Sequence, residues 1–175
     1  MSALSSNPPR VGTQGASKLP RRGRAPRLPD EVYHQPFTVY TVTVCAAKRR
    51  SLFARPTRAR TLVETLLRVA NALGVEVGAY CVMPDHVHFA LWWRGGGALA
   101  SLPRFVRAFK AVSTRNLRRM GHRGPVWQRG FFDHLCRREE DVQGVFEYIV
   151  ANPVRKGLCA EAGGWPHAAI VAYPA

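Results

Sequence analysis

Tyr80-Cys-Val-Met-Pro-Asp-His86-Val-His88-Phe-Ala-Leu-Trp-Trp93 reads as a strand, a sharp turn at Pro84-Asp85 and a second strand. In that second strand His86, His88, Ala90 and Trp92 alternate with Val87, Phe89, Leu91 and Trp93, so the two sets occupy opposite faces. The second set is uniformly large and apolar and is expected to pack on a core. The two imidazoles are then left together on the other face, about 6.6 Å apart along the strand. Two histidines on one rigid strand can converge on a metal ion. The plain alternative is a pair of surface histidines on a half-exposed strand.

Outward from this hairpin the chain alternates between two periods. Upstream, Pro36 to Ala47 is rich in β-branched and aromatic residues and reads as a strand. Pro56-Thr57 opens a helix with Leu62, Leu66, Val69, Ala70 and Leu73 on one side, and Gly74 ends it. Val75 to Val82 is the strand that enters the hairpin. Downstream, Arg94-Gly-Gly-Gly97 is a turn without the Lys-Ser/Thr of a phosphate loop. Leu99 to Met120 is a long amphipathic helix, apolar along Phe105, Val106, Phe109, Val112 and Met120. Its other side carries Arg104, Arg107, Lys110, Arg115, Arg118 and Arg119.

Phe131 to Arg138 reads as a further strand. Glu139-Glu140-Asp141 then place negative charge at the start of a last helix, where it suits the helix dipole. Val142, Val145, Phe146 and Ile149 form its buried stripe. Tyr148 and Asn152 lie side by side at the stripe's edge, and Pro153 stops the helix. From this helix alone, Tyr148 is a boundary tyrosine and Asn152 a C-terminal cap. The order strand, helix, strand, strand, helix, strand is that of a ferredoxin-like α+β sandwich, an antiparallel sheet with two helices on one face. The tyrosine-bearing helix follows it at the C-terminal end, and the histidines are expected on the sheet's open face, within reach of a nucleic acid strand or an added helix.

The 175 residues carry 26 Lys+Arg against 11 Asp+Glu, a formal charge of +15, and the pI is about 11.0. Such an excess points to a polyanion, most simply nucleic acid. No acidic residue stands between Asp85 and Asp133. The basic helix face, continued by Arg123 and Arg129, therefore reads as a phosphate-binding surface rather than a merely solvated one. No apolar run approaches spanning length, and no hydrophobic signal opens the chain. Cys45, Cys81, Cys136 and Cys159 form no Cys-x-x-Cys pair and read as reduced thiols of a cytoplasmic protein. Residues 1–32 are Ser-, Pro-, Gly- and Arg-rich and read as a disordered basic arm; residues 33–175 read as one domain with room for a core.

Two stretches carry a family resemblance. Met-Pro-Asp-His86-Val-His88 resembles the HUH motif, and Glu147-Tyr148-Ile-Val-Ala-Asn152-Pro-Val-Arg155-Lys-Gly157-Leu resembles the tyrosine motif of single-tyrosine HUH transposases. More narrowly, the chain is similar to the REP-associated tyrosine transposases, with Val126-Trp127-Gln128-Arg129-Gly130-Phe-Phe-Asp133-His134 and Gly164-Trp165-Pro166 as further matching segments. The similarity runs from about Tyr33 to Pro166. Lys156 stands where alanine is frequent, and His167-Ala168 follow Trp165-Pro166 where Trp-Ser is common.

This resemblance implies that His86 and His88 hold a divalent metal, Mg²⁺ or Mn²⁺, with Asn152 as third ligand, and that Tyr148 is the nucleophile. The implied reaction is cleavage and strand transfer of single-stranded DNA beside a hairpin, leaving a 5′-phosphotyrosine and a free 3′-hydroxyl. Imidazole suits Mn²⁺ better than Mg²⁺. Arg104, Arg107, Lys110, Arg115, Arg118, Arg129 and Arg155 are the expected phosphate contacts. Trp92 or Trp127 would stack unpaired bases, or else serve the core. A monomer is expected, with a dimer as the alternative, and neither a membrane nor a small-molecule cofactor is expected. The competing readings are a non-catalytic ferredoxin-like nucleic-acid-binding module and a nuclease that activates water.

Overall fold

The computed structural model describes residues 38–93, 101–136 and 142–174. Within them lie β1 (Tyr40–Cys45), α1 (Pro56–Ala72), β2 (Val75–Met83), β3 (His86–Trp93), α2 (Leu102–Arg119) and β4 (Phe132–Leu135). There follow α3 (Val142–Val150), the short α4 (Asn152–Arg155) and β5 (Ala168–Ile170). The sheet order is β4-β1-β3-β2-β5, and every pairing is antiparallel. The first four strands and two helices have the expected α+β sandwich order. Residues 1–37, the Arg94–Gly97 turn and the Glu139–Asp141 cluster lie outside the described residues.

The local signals act as their chemistry requires. Pro56 occupies the first turn of α1, where a missing N–H is harmless, and Gly74 follows that helix at φ +64. Leu62, Leu66 and Val69 of α1 and Phe105, Phe109 and Leu117 of α2 are buried. They meet Val87, Phe89, Leu91 and Trp93 of β3 in one apolar cluster. Met120 does not join the apolar side of α2: it is the residue that caps the helix end, it is exposed, and Leu102 and Leu117 complete the stripe instead.

The opposite face of the sheet is not open. Phe146 and Ile149 of α3 pack there with Ala79, Cys81, Met83, Ala90 and Trp92, and Trp165, Ala168 and Ile170 close the flank. All eight residues of β3 are consequently buried, both histidines included. The strand β5 was not anticipated: Ala168-Ala-Ile is too short and too weakly patterned to announce itself. It pairs with β2 at Ala79–Cys81 and covers that edge.

Candidate active site

The β-ladder fixes the histidine environment. His88 lies across from Thr43 on β1 and Cys81 on β2, while His86 lies across from Cys45 and Met83. The two Nε2 atoms are 2.9 Å apart, with the rings nearly perpendicular. Each remaining ring nitrogen is held by an oxygen: His86 Nδ1 by Asp85 Oδ1 at 2.5 Å and His88 Nδ1 by Thr43 Oγ1 at 2.8 Å. A carboxylate only accepts, so His86 carries its proton on Nδ1 and turns a bare Nε2 toward His88. This arrangement, paired nitrogens in front and orienting oxygens behind, fits two ligands of a borderline divalent cation.

Burial governs the charges. It drives His88 from 6.5 down to about 3, helped by His86, Arg155 and Arg49. Burial also lowers His86, against the opposing pull of Asp85. For Asp85, burial works upward, but the hydrogen bonds and charges of His86 and Arg49 outweigh it and hold the carboxyl below its usual range. Both imidazoles are therefore neutral at pH 7, the state that binds metal.

Tyr148, Asn152 and Arg155 form a second group on the elements that cover this face. The half-exposed Tyr148 ring has the Arg155 guanidinium carbon 3.5 Å above its centroid. Arg155 also donates from Nη2 to Asn152 Oδ1 at 2.8 Å and from Nη1 to the Tyr148 carbonyl at 3.3 Å. Asn152 is buried, and its amide donates to the carbonyls of Ile149 (3.0 Å) and Tyr148 (3.3 Å), capping the end of α3. Pro153 does not end the helical path: after the Ala151 turn the chain starts α4, with Pro153 in its first turn. Among the described residues no group of three or more His, Cys, Asp or Glu side chains could hold a metal. Within those residues, a third protein donor beside the histidines would be of another kind, such as an amide.

Residues 37–152 match the family described as "Transposase IS200 like". The chain belongs to that transposase family. A REP-associated tyrosine transposase of Escherichia coli strain K12 is 26% identical over 128 residues, covering 71% of each chain. A Haemophilus influenzae relative whose name also places it among REP-associated tyrosine transposases is 28% identical over 105 residues. That match covers 53% of this chain and only 57% of the relative. A solved structure described as the REP-associated tyrosine transposase bound to a REP hairpin superposes with a TM-score of 0.64. It is 25% identical and covers 78% of each chain.

In this transposase the expected phosphate contacts are dispersed. Arg104, Arg107, Arg115 and Arg118 are exposed on α2, the layer on the opposite side of the sheet from the histidines. Arg129 is exposed in the loop before β4. Lys110 instead ties that loop down, donating from Nζ to the carbonyls of Gln128, at 2.9 Å, and Gly130. Trp92 and Trp127 both pack against other aromatic rings. Trp92 is buried and stacked on Phe146, and Trp127 packs between Phe53 and Phe109 while donating to Ser113 Oγ at 3.0 Å. Trp92 offers no ring to an unpaired base, and α3 covers the sheet surface that a ferredoxin-like binding module would use.

Sequence reasoning missed Thr43, Asp85 and Arg49. Asp85 had a signal, being the residue before His86 in a tight turn; Thr43 needed the strand register. Arg49 donates to Asp85 Oδ2 at 3.2 Å, and its Nη1 lies 3.5 Å from His86 Nδ1. It sits in the 3₁₀ turn Ala47–Arg49, where Lys48 and Arg49 both take left-handed φ, +56 and +54. That conformation costs a non-glycine residue about 1–2 kcal/mol.

Proposed function

We propose that this protein cleaves and rejoins single-stranded DNA beside hairpins through a covalent tyrosine intermediate, using a divalent metal held by His86 and His88. The observation that carries the reading is the convergence of the two imidazole Nε2 atoms at 2.9 Å, each ring oriented from behind by an oxygen. When bound, the metal would polarise the scissile phosphate and offset its developing charge. Mn²⁺ would bind more tightly than Mg²⁺.

The chain's own residues supply the rest. Tyr148 is proposed as the nucleophile: its phenol oxygen gives up its proton to water and bonds to phosphorus, the P–O3′ bond breaks, and the departing oxygen takes a proton from water as the 3′-hydroxyl. The 5′-phosphotyrosine retains the phosphodiester's energy, so a second 3′-hydroxyl can reverse the step without ATP. Asn152 is proposed as the third ligand, its Oδ1 shared with or released by Arg155. Tyr148 is half exposed while the histidines are buried, so the strand is drawn in past a phenol that solvent already reaches. The exposed arginines of α2 are proposed to grip the hairpin's backbone rather than the cut strand, and residues 33–175 to act as one monomeric domain. The REP hairpin bound by the solved neighbour supports DNA of that shape as the substrate class.

The test is incubation with single-stranded hairpin oligonucleotides and Mn²⁺, followed by a denaturing gel. The wild type is expected to give a protein–DNA adduct that is absent from Tyr148→Phe. Cleavage that persists in Tyr148→Phe without an adduct would instead assign the protein to the water-activating nucleases.

A further inference from the structure

We infer that the strained Lys48-Arg49-Arg50 turn is the phosphate grip for the single strand at the histidine site, with Arg49 as its principal contact. This rests on the reading of His86 and His88 as the site where DNA is cut. The basic face of α2 lies on the far side of the sheet, so it cannot neutralise a strand lying against the histidines. The Arg49 guanidinium reaches that pair's surroundings on the Asp85 side, 3.2 Å from Asp85 and 3.5 Å from His86 Nδ1. Its side chain is 47% exposed. Both recorded contacts run through Nη1, which leaves the other donors of the planar fork for a phosphate.

The backbone shows that this placement is imposed. Lys48 and Arg49 are the two non-glycine residues at positive φ among the described residues. A half-exposed Arg–Asp pair stabilises too little to account for two of them. The turn is held from both sides: Ala46 N–H donates to the Asp85 carbonyl and Ala47 N–H to the Val126 carbonyl, both at 2.8 Å. Strain of this kind, fixed by its surroundings beside a candidate site, marks a side chain aimed for use. Arg49 lies on the Nδ1 edge of His86, one ring's width from the paired Nε2 atoms. A strand with one phosphate at those nitrogens brings a flanking phosphate past Arg49.

The experiment measures binding of a fluorescein-labelled oligothymidylate by anisotropy in chelator across a salt series. Mn²⁺ binding is measured separately, without DNA, by electron paramagnetic resonance. Arg49→Gln is expected to weaken oligonucleotide binding several-fold and to reduce the slope of log K against log salt by about 0.7, the value for one single-strand phosphate. Mn²⁺ affinity should stay within about twofold. Arg49→Gly, which relieves the positive φ while removing the guanidinium, should lose the same slope with unfolding no easier than in the wild type. An unchanged slope in both variants overturns the inference, and an unchanged slope with weakened Mn²⁺ binding makes Arg49 a positioning residue for His86 instead. Because the salt series runs without cleavage, failure of the wild type to form an adduct would count against tyrosine chemistry and leave this result standing.

Discussion

A methyl group on Gly78 would sit 2.5 Å from Phe146 Cε2 and 2.7 Å from Trp92 Cζ3. Gly78 stands where the β2–β3 register shifts between Val77 and Ala79, and α3 docks its largest apolar side chain into the space a side chain would fill. Phe146 cannot swing aside cheaply, since its ring is stacked between Trp92 and Tyr173. The helix that carries Tyr148 is thus seated by the absence of a Cβ on β2. Gly78→Ala should cost about 1–3 kcal/mol in urea unfolding and lower the yield of covalent adduct. Phe146→Leu should recover part of that loss in a double-mutant cycle. Additive losses in the cycle would show that the two residues are not the ones in conflict.

Thr43 decides what the His88 imidazole can do. If its hydroxyl donates to Nδ1, then His88 Nε2 carries the proton and donates to His86. If its oxygen accepts from Nδ1–H, both Nε2 atoms are bare and face each other, as metal binding demands. Thr43→Val removes the acceptor and should weaken Mn²⁺ binding about 10- to 100-fold, the usual cost of losing such an orienting partner. Thr43→Ser keeps the oxygen and should restore most of the affinity. Calorimetric titration with Mn²⁺ measures both, and equal affinities for wild type and Thr43→Val would remove Thr43 from the site.

The fold was legible where one face of an element is apolar and the period is clean. The helix Leu62-Leu66-Val69, the Phe105-Phe109 stripe and the Val87-Phe89-Leu91 alternation all led to the observed sandwich. Its second layer was half legible. Phe146 and Ile149 were readable as a buried stripe, but the sequence does not say that they land on the histidine face. That docking rests on Gly78 and on the weak strand Ala168–Ile170, which no periodicity announces. In the site, His86 and His88 stood out because they share a strand face. Thr43 joins them only through cross-strand register, and Arg49 only through a left-handed turn that Lys-Arg-Arg gives no reason to expect. The loop-carbonyl bonds of Lys110 and the aromatic packing of Trp127 were not legible, because a cation or an indole in a basic segment looks the same whether it meets DNA or the protein's own chain.

Acid should loosen this protein in a defined direction. The folded state holds His88 near 3, against 6.5 ordinarily, and lowers His86 as well. Below about pH 6.5 the unfolded chain therefore binds protons that the folded chain refuses, and stability falls with falling pH. Lowering the pH from 7 to 5 should remove about 2 kcal/mol through His88 alone, about 1.4 kcal/mol for each unit below its unfolded value. The depressed Asp85 acts in the same direction at still lower pH, as its carboxylate is protonated. Urea unfolding at pH 7 and 5 measures the loss, and His88→Gln should flatten it. An equal loss in that variant would place the acid sensitivity elsewhere.

Arg155 joins the nucleophile candidate to the ligand candidate, and its removal should separate their functions. Its guanidinium lies over the Tyr148 ring and bonds Asn152 Oδ1. With no Arg155, the phenol ring loses its cover and Asn152 Oδ1 is left free. Arg155→Gln should therefore leave Mn²⁺ affinity unchanged or slightly raised, because the arginine competes with metal for that oxygen. Adduct formation should nonetheless fall about 10-fold or more, because a loosely held nucleophile is rarely in line with phosphorus. Arg155→Lys keeps the charge but not the planar fork, and should rescue oligonucleotide binding more than cleavage. Single-turnover adduct rates set beside Mn²⁺ titrations make the comparison. A variant that loses DNA affinity and cleavage in equal measure, with Arg155→Lys restoring both, would show that Arg155 holds phosphate and that its place over Tyr148 is incidental.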